Sequence, residues 1–118
     1  MIYLSGNHPF VKLSVHFPSG DAVDINCLVD TGFSGGLALP KKFQSHFPQD
    51  EFIESRFSLA DGSEVGVDTT YTAVEYEGQK KEVAVVFVGD SEALVGIEFL
   101  DQMRFCLDLK NHKADLDF

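Results

Sequence analysis

The triplet Asp30-Thr31-Gly32 is the part of the chain best suited to chemistry. It follows the apolar pair Leu28-Val29, so a strand ends there and leaves a carboxylate free to project into a cleft. Thr31 brings a hydroxyl that can fix the turn, and Gly32 permits close backbone approach. A carboxylate so placed is a candidate for general acid–base chemistry. The same triplet also reads as an ordinary Asx turn, and composition alone yields it in about one chain in twenty of this length. Its weight comes from two further features. Leu94-Val95-Gly96 ends an apolar stretch far downstream, and Asp61-Gly62 lies between the two as a hairpin signal. Each is commonplace alone; the three in this order are not.

No other motif competes. Gly35-Gly36 lacks the Lys-Ser/Thr of a phosphate loop, and there is no Gly-x-Ser-x-Gly elbow. His8, His16, His46 and His112 are scattered singly, and Cys27 and Cys106 lie far apart, so neither type forms a metal-ligand spacing. The cysteines read as a reduced, buried pair. No metal and no cofactor is expected.

The elements that must hold Asp30 are mostly strands. Val11, Leu13, Val15 and Phe17 alternate with polar residues, Pro18-Ser19-Gly20-Asp21 turns, and Val23, Ile25, Cys27 and Val29 alternate again. Residues 10–29 are thus a predicted hairpin that runs straight into Asp30. Pro40 opens a predicted one or two helical turns to Phe47. Residues 57–59 and 64–67 flank the Asp61-Gly62 turn, and a second hairpin joins residues 69–76 to 81–88. Apolar residues at Val86 and Val88, beside Val83, Val85 and Phe87, predict a strand covered on both faces. A short strand at 93–97, a short helix over 98–103 and a closing hairpin from 104 to 118 complete the pattern. The expected fold class is all-β: a closed barrel with one or two short helices, in one domain spanning 1–118.

Composition narrows the function. The formal net charge is -10, from 19 acidic against 9 basic residues. Phosphate backbones and anionic lipid would repel such a surface, which argues against nucleic-acid and membrane roles. No apolar run reaches the ~18 residues of a membrane span, and the first residues do not resemble a signal peptide. A cytoplasmic location is expected.

Taken together, Leu28-Val29-Asp30-Thr31-Gly32-Phe33-Ser34, the hairpin Leu59-Ala60-Asp61-Gly62-Ser63 and Ala93-Leu94-Val95-Gly96-Ile97-Glu98-Phe99-Leu100 resemble the retropepsin-like aspartic peptidases. The likeness runs over residues 10–116. It is strongest to small prokaryotic members with Phe after Asp-Thr-Gly, and extends to the retroviral-protease-like domain of ubiquitin-shuttle proteins. The resemblance implies an acid-protease barrel in which Asp30 is catalytic and Thr31 to Ser34 form the active-site turn. Thr31 would brace the partner's turn, and Leu59 to Ser63 would be a flap over bound peptide. Leu94, Val95 and Gly96 would pack against the catalytic loop. It also implies that residues 1–4 and 114–118 build a dimer interface. Two departures stand out: Phe33 replaces the Ala usual in viral members, and the flap carries Asp61 with a single tip glycine.

An aspartic peptidase needs two carboxyl groups around one water, and this chain supplies one Asp-Thr/Ser-Gly. The resemblance therefore implies a homodimer with an Asp30/Asp30′ dyad, hydrolysing a peptide or protein substrate. The alternative is a non-catalytic dimeric peptide-binding module that keeps the fold. A third reading is a generic small barrel whose Asp-Thr-Gly is only a turn.

Overall fold

The computed structural model describes residues 1–58 and 61–118, with only the backbone at Phe57. The strands are β1 (Ile2–Ser5), β2 (His8–His16), β3 (Ala22–Val29), β4 (Leu37–Leu39), β5 (Ile53–Ser58), β6 (Glu64–Tyr76), β7 (Gln79–Phe87), β8 (Ala93–Val95), β9 (Arg104–Asp108) and β10 (Lys113–Asp117). One α-helical turn, α1 (Ile97–Leu100), follows β8.

The first eight strands form one sheet in the order β1-β2-β3-β8-β4-β7-β6-β5. That sheet closes because the end of β2 also pairs with β6, through Ser14↔Glu75, Val15↔Val74 and His16↔Ala73. Thr72 tightens this seam by donating its hydroxyl to the His16 carbonyl at 2.6 Å. The result is a ring of β2, β3, β8, β4, β7 and β6. The expected all-β barrel is present.

Period-two patterning sets which residues fill it. Val11, Leu13 and Val15 of β2 are fully buried, as are Cys27 of β3, Leu39 of β4 and Val85 of β7. Phenylalanines close one end, where Phe47 meets Phe17 and Phe87 edge-on at 5.4 and 5.3 Å between ring centroids. Such pairs add about 0.5–1.5 kcal/mol each beyond the area they bury. At the other end the Tyr76 hydroxyl donates to the Leu116 carbonyl at 3.2 Å, tying the separate β9–β10 hairpin to the barrel.

The helical turns read after Pro40 are 3-10, over Lys41–His46, with Phe43 N–H bonded to Pro40 O and Phe47 N–H to Gln44 O; Pro48 then disfavours helix at Phe47. Two local expectations change. The helix after β8 ends at Leu100, because Asp101 turns to an extended ψ of 134°, and Gln102 follows with a positive φ of 66°. The two hairpins read around residues 60–63 and 77–79 share one long strand. β6 runs unbroken through Gly66 and Asp68, pairing with β5 at one end and β7 at the other.

Candidate active site

Asp30 stands one residue past β3. Its backbone N–H donates to Val95 O at 2.9 Å, and its Oδ1 accepts the Gly32 N–H at 2.9 Å. The turn closes with Phe33 N–H on Asp30 O at 3.1 Å. Gly32 suits this position because a Cβ there would stand only 3.2 Å from Asp30 Oδ1. Thr31 and Ser34 are exposed and Phe33 is half-buried.

The turn is held from below by the second motif. β8 lies between β3, to which it is parallel, and β4, to which it is antiparallel. The consecutive strands β3 and β4 are thus split by a strand from much later in the chain. Beyond β8 the amides of Gly96, Ile97 and Glu98 donate to Gly36 O, Phe33 O and Gly35 O at 3.0, 2.9 and 3.1 Å. Gly96 is required by closeness: a Cβ there would overlap Phe33 O and lie 2.5 Å from Gly35 O. Val95 and Gly96 are buried and Leu94 is half-buried.

Register explains what Asp30 faces. Leu28, Leu94, Ala38, Val86 and Thr69 lie on one continuous rung across β3, β8, β4, β7 and β6. Their side chains point away from the core-facing Leu37, Leu39, Val85, Phe87 and Val95. Asp30, two residues after Leu28, emerges on this same reverse face. An open groove of about 310 Å³ lies there. The turn, with Asp30, Gly32, Phe33 and Ser34, forms one side; Ser58, Val65 and Val67 of the β5–β6 hairpin reach it from the other. Ala38, Leu94, Val86 and Val88 also line it, and among the described residues Asp30 is its one ionisable side chain.

Of the five residues expected in the flap, Leu59 and Ala60 lie outside the described residues. Asp61, Gly62 and Ser63 form the hairpin tip. Gly62 takes φ +87°, and Asp61 Oδ1 accepts both the Ser63 N–H (2.9 Å) and hydroxyl (2.6 Å). These bonds hold the Asp61 carboxyl below the usual range. The groove wall itself, Val65, Val67, Val86 and Val88, was not among the expected site residues. Its signal was the excess of apolar residues at 86 and 88: the second covered face of β7 is the groove. Val86 is 4% exposed there and Val88 is 37% exposed.

Chemically the arrangement offers one carboxylate, anchored through one oxygen, at the edge of an apolar groove bounded by a strand hairpin. Among the described residues, no group of three or more His, Cys, Asp or Glu side chains could hold a metal ion. Also among them, no helix is long and apolar enough to cross a membrane. The edge strand β1 pairs only with β2, and β10 only with β9, so each keeps one edge without a strand partner among the described residues.

No family model matches the chain, and no curated protein matches it. Among solved structures it is similar to a retropepsin-like aspartic protease from Rickettsia conorii, with a TM-score of 0.60 and 20% sequence identity over 94% of this chain and 85% of that one. At that identity the likeness establishes the fold: a closed, retropepsin-like acid-protease barrel.

Proposed function

We propose that the protein is an aspartic endopeptidase that works as a symmetric homodimer, with Asp30 of each copy forming the catalytic dyad. The observation that carries this is the position of Asp30, on a glycine-permitted turn and facing an apolar groove beneath a β-hairpin. An extended peptide fits such a groove, held by main-chain hydrogen bonds with alternate side chains in the apolar lining. The retropepsin-like fold supports the same reading, although folds host many activities and the site must decide.

In the dyad two carboxyl groups at contact distance share one proton, because both cannot ionise readily. The ionised one takes a proton from the water between them as that water attacks the scissile carbonyl. The protonated one donates to the carbonyl oxygen as it becomes a tetrahedral alkoxide. Collapse returns a proton to the leaving amine and breaks the C–N bond. Gly32 N–H, already on Asp30 Oδ1, leaves Oδ2 as the oxygen free to face the water. Thr31, exposed and with no hydrogen bond from its hydroxyl within the described residues, is available to the partner's turn.

The test is cleavage of a peptide library between about pH 3 and 7, comparing wild type with Asp30→Asn and following association by sedimentation. The expected result is cleavage by wild type alone, rising with the dimer fraction. Equal cleavage by both proteins, or none by a wild type that dimerises, would overturn the proposal. In the second case peptide binding without turnover would point instead to a non-catalytic module on the same fold.

A further inference from the structure

Two features have no part in the chemistry above: the paired glycines Gly35-Gly36 and the carboxylate of Glu98. β4 begins at Leu37, whose partner on β7 is Val85. One residue earlier, Ala84 of β7 has no β4 strand residue opposite it. Its backbone N–H therefore has no β4 carbonyl opposite to bond. The Glu98 side chain fills that place, with Oε1 accepting the Ala84 N–H at 2.7 Å. Gly36 makes the space. A Cβ there would lie 2.5 Å from Glu98 Oε1, 2.7 Å from Val83 Cβ and 2.9 Å from Ala84 O.

Glu98 is also bound through its backbone to the active-site turn, by its N–H on Gly35 O at 3.1 Å. One residue therefore bridges the segment that carries Asp30 and the strand that carries Val86 of the groove wall. We infer that Glu98 is a positioning residue, whose carboxylate stands in for a missing strand partner of β7 and fixes the Asp30 turn relative to the groove. As a residue Glu98 is exposed. Removing its side chain leaves the core untouched, and the effect falls on geometry rather than on folding. Displacement of a reacting group by about 1 Å costs on the order of 100-fold in rate.

The kinetic half of this inference rests on the peptidase reading; the structural half does not. Three variants separate its parts. Glu98→Gln keeps both reach and an acceptor oxygen, Glu98→Asp keeps charge but falls short, and Glu98→Ala has neither. Peptidase assays on the full chain should show kcat lowered about tenfold or more in the Asp and Ala variants, with KM changed less than about twofold, and restored in the Gln variant. Amide hydrogen exchange should quicken at Ala84 and at Phe33, the turn amide on Asp30 O, in the Asp and Ala variants only. Wild-type kcat in Glu98→Ala, or an equal loss in Glu98→Gln, would overturn the inference. If wild type cleaves no peptide, the peptidase reading fails and exchange alone decides. Faster Phe33 exchange in Glu98→Ala but not in Glu98→Gln upholds the positioning role, and unchanged exchange removes it.

Discussion

The backbone N–H of Asp30 and the carbonyl of Val95 meet at 2.9 Å, as the last rung of the parallel β3–β8 ladder. The Asp30 turn is therefore placed by the downstream apolar-apolar-Gly segment, and Gly96 sets how close the two can come.

Substituting Gly96 by Ala should cost about 1–3 kcal/mol, the usual range for overpacking, because backbone carbonyls at Phe33 and Gly35 must give way. Gly66→Ala is the control. Its added methyl meets only the Glu54 side chain, whose Oε1 would be 2.8 Å away and can swing aside. That variant should stay within about 0.5 kcal/mol of wild type. Urea denaturation of both variants checks the contrast.

Acid should weaken the β9–β10 turn. Asp108 accepts the Asn111 N–H at 3.1 Å and its side-chain amide at 2.8 Å, and these bonds hold its carboxyl below the usual range. A carboxyl depressed in the folded state binds fewer protons there than in the unfolded chain, so its contribution is complete above the ordinary aspartate value of about 4. It is lost as pH falls through the depressed folded value. The stability gap between wild type and Asp108→Ala should therefore be constant from about pH 7 to 5 and shrink below about pH 4. A gap independent of pH would refute the capping role.

Thiol labelling should report unfolding. Cys27 is fully buried, and burial pushes its thiol up to about 12. At pH 8 it should resist alkylation in the native protein and react at the rate of global opening. Labelling of native Cys27 as fast as that of a free thiol would contradict its buried place on β3, opposite Val11 of β2.

The groove should select uncharged side chains. Apart from Asp30, its lining among the described residues holds only apolar residues, serines and Gly32. Replacing an apolar residue by Asp at the substrate position that fills the groove should lower kcat/KM by about 100-fold or more, since a buried unpaired charge costs several kcal/mol. Peptide series with a single varied position provide the measurement.

Self-association should strengthen with salt. Each copy carries a formal charge of -10, so two copies repel at low ionic strength, and the repulsion is screened over about 8 Å at physiological salt. Sedimentation between about 20 and 500 mM salt should show a falling dissociation constant. The reverse trend would mean that opposite charges dominate the interface.

Much of this was legible in the residue pattern, for identifiable reasons. Val11, Leu13 and Val15 alternate because one face of β2 is core, and they are buried as read. Asp30-Thr31-Gly32 sits at a strand end because Leu28-Val29 is apolar and Gly32 can turn. The groove was harder to see. Val86 and Val88 carry the same side chain as Val83 and Val85, and sequence records apolarity without saying which face it covers. The unbroken β6 was also hidden, since Gly66 and Asp68 are poor strand formers whose place is fixed by pairing with β5 and β7. The bond from Ala84 to the Glu98 carboxylate gave no signal. The carboxylate's partner is a backbone amide, and backbone partners leave no trace in residue identity.

The insertion of β8 between β3 and β4 has a consequence for biosynthesis. The Asp30 turn takes hydrogen bonds from Asp30 N–H to Val95 and from the amides of Gly96, Ile97 and Glu98, all supplied by the last quarter of the chain. A ribosome-bound chain that has released its first half can form the β2–β3 hairpin but has nothing to lock the turn at its end. The turn therefore cannot be locked before residues 95–98 have emerged. Truncation before residue 95 should yield a chain with a barrel gap and an Asp30 turn lacking these bonds.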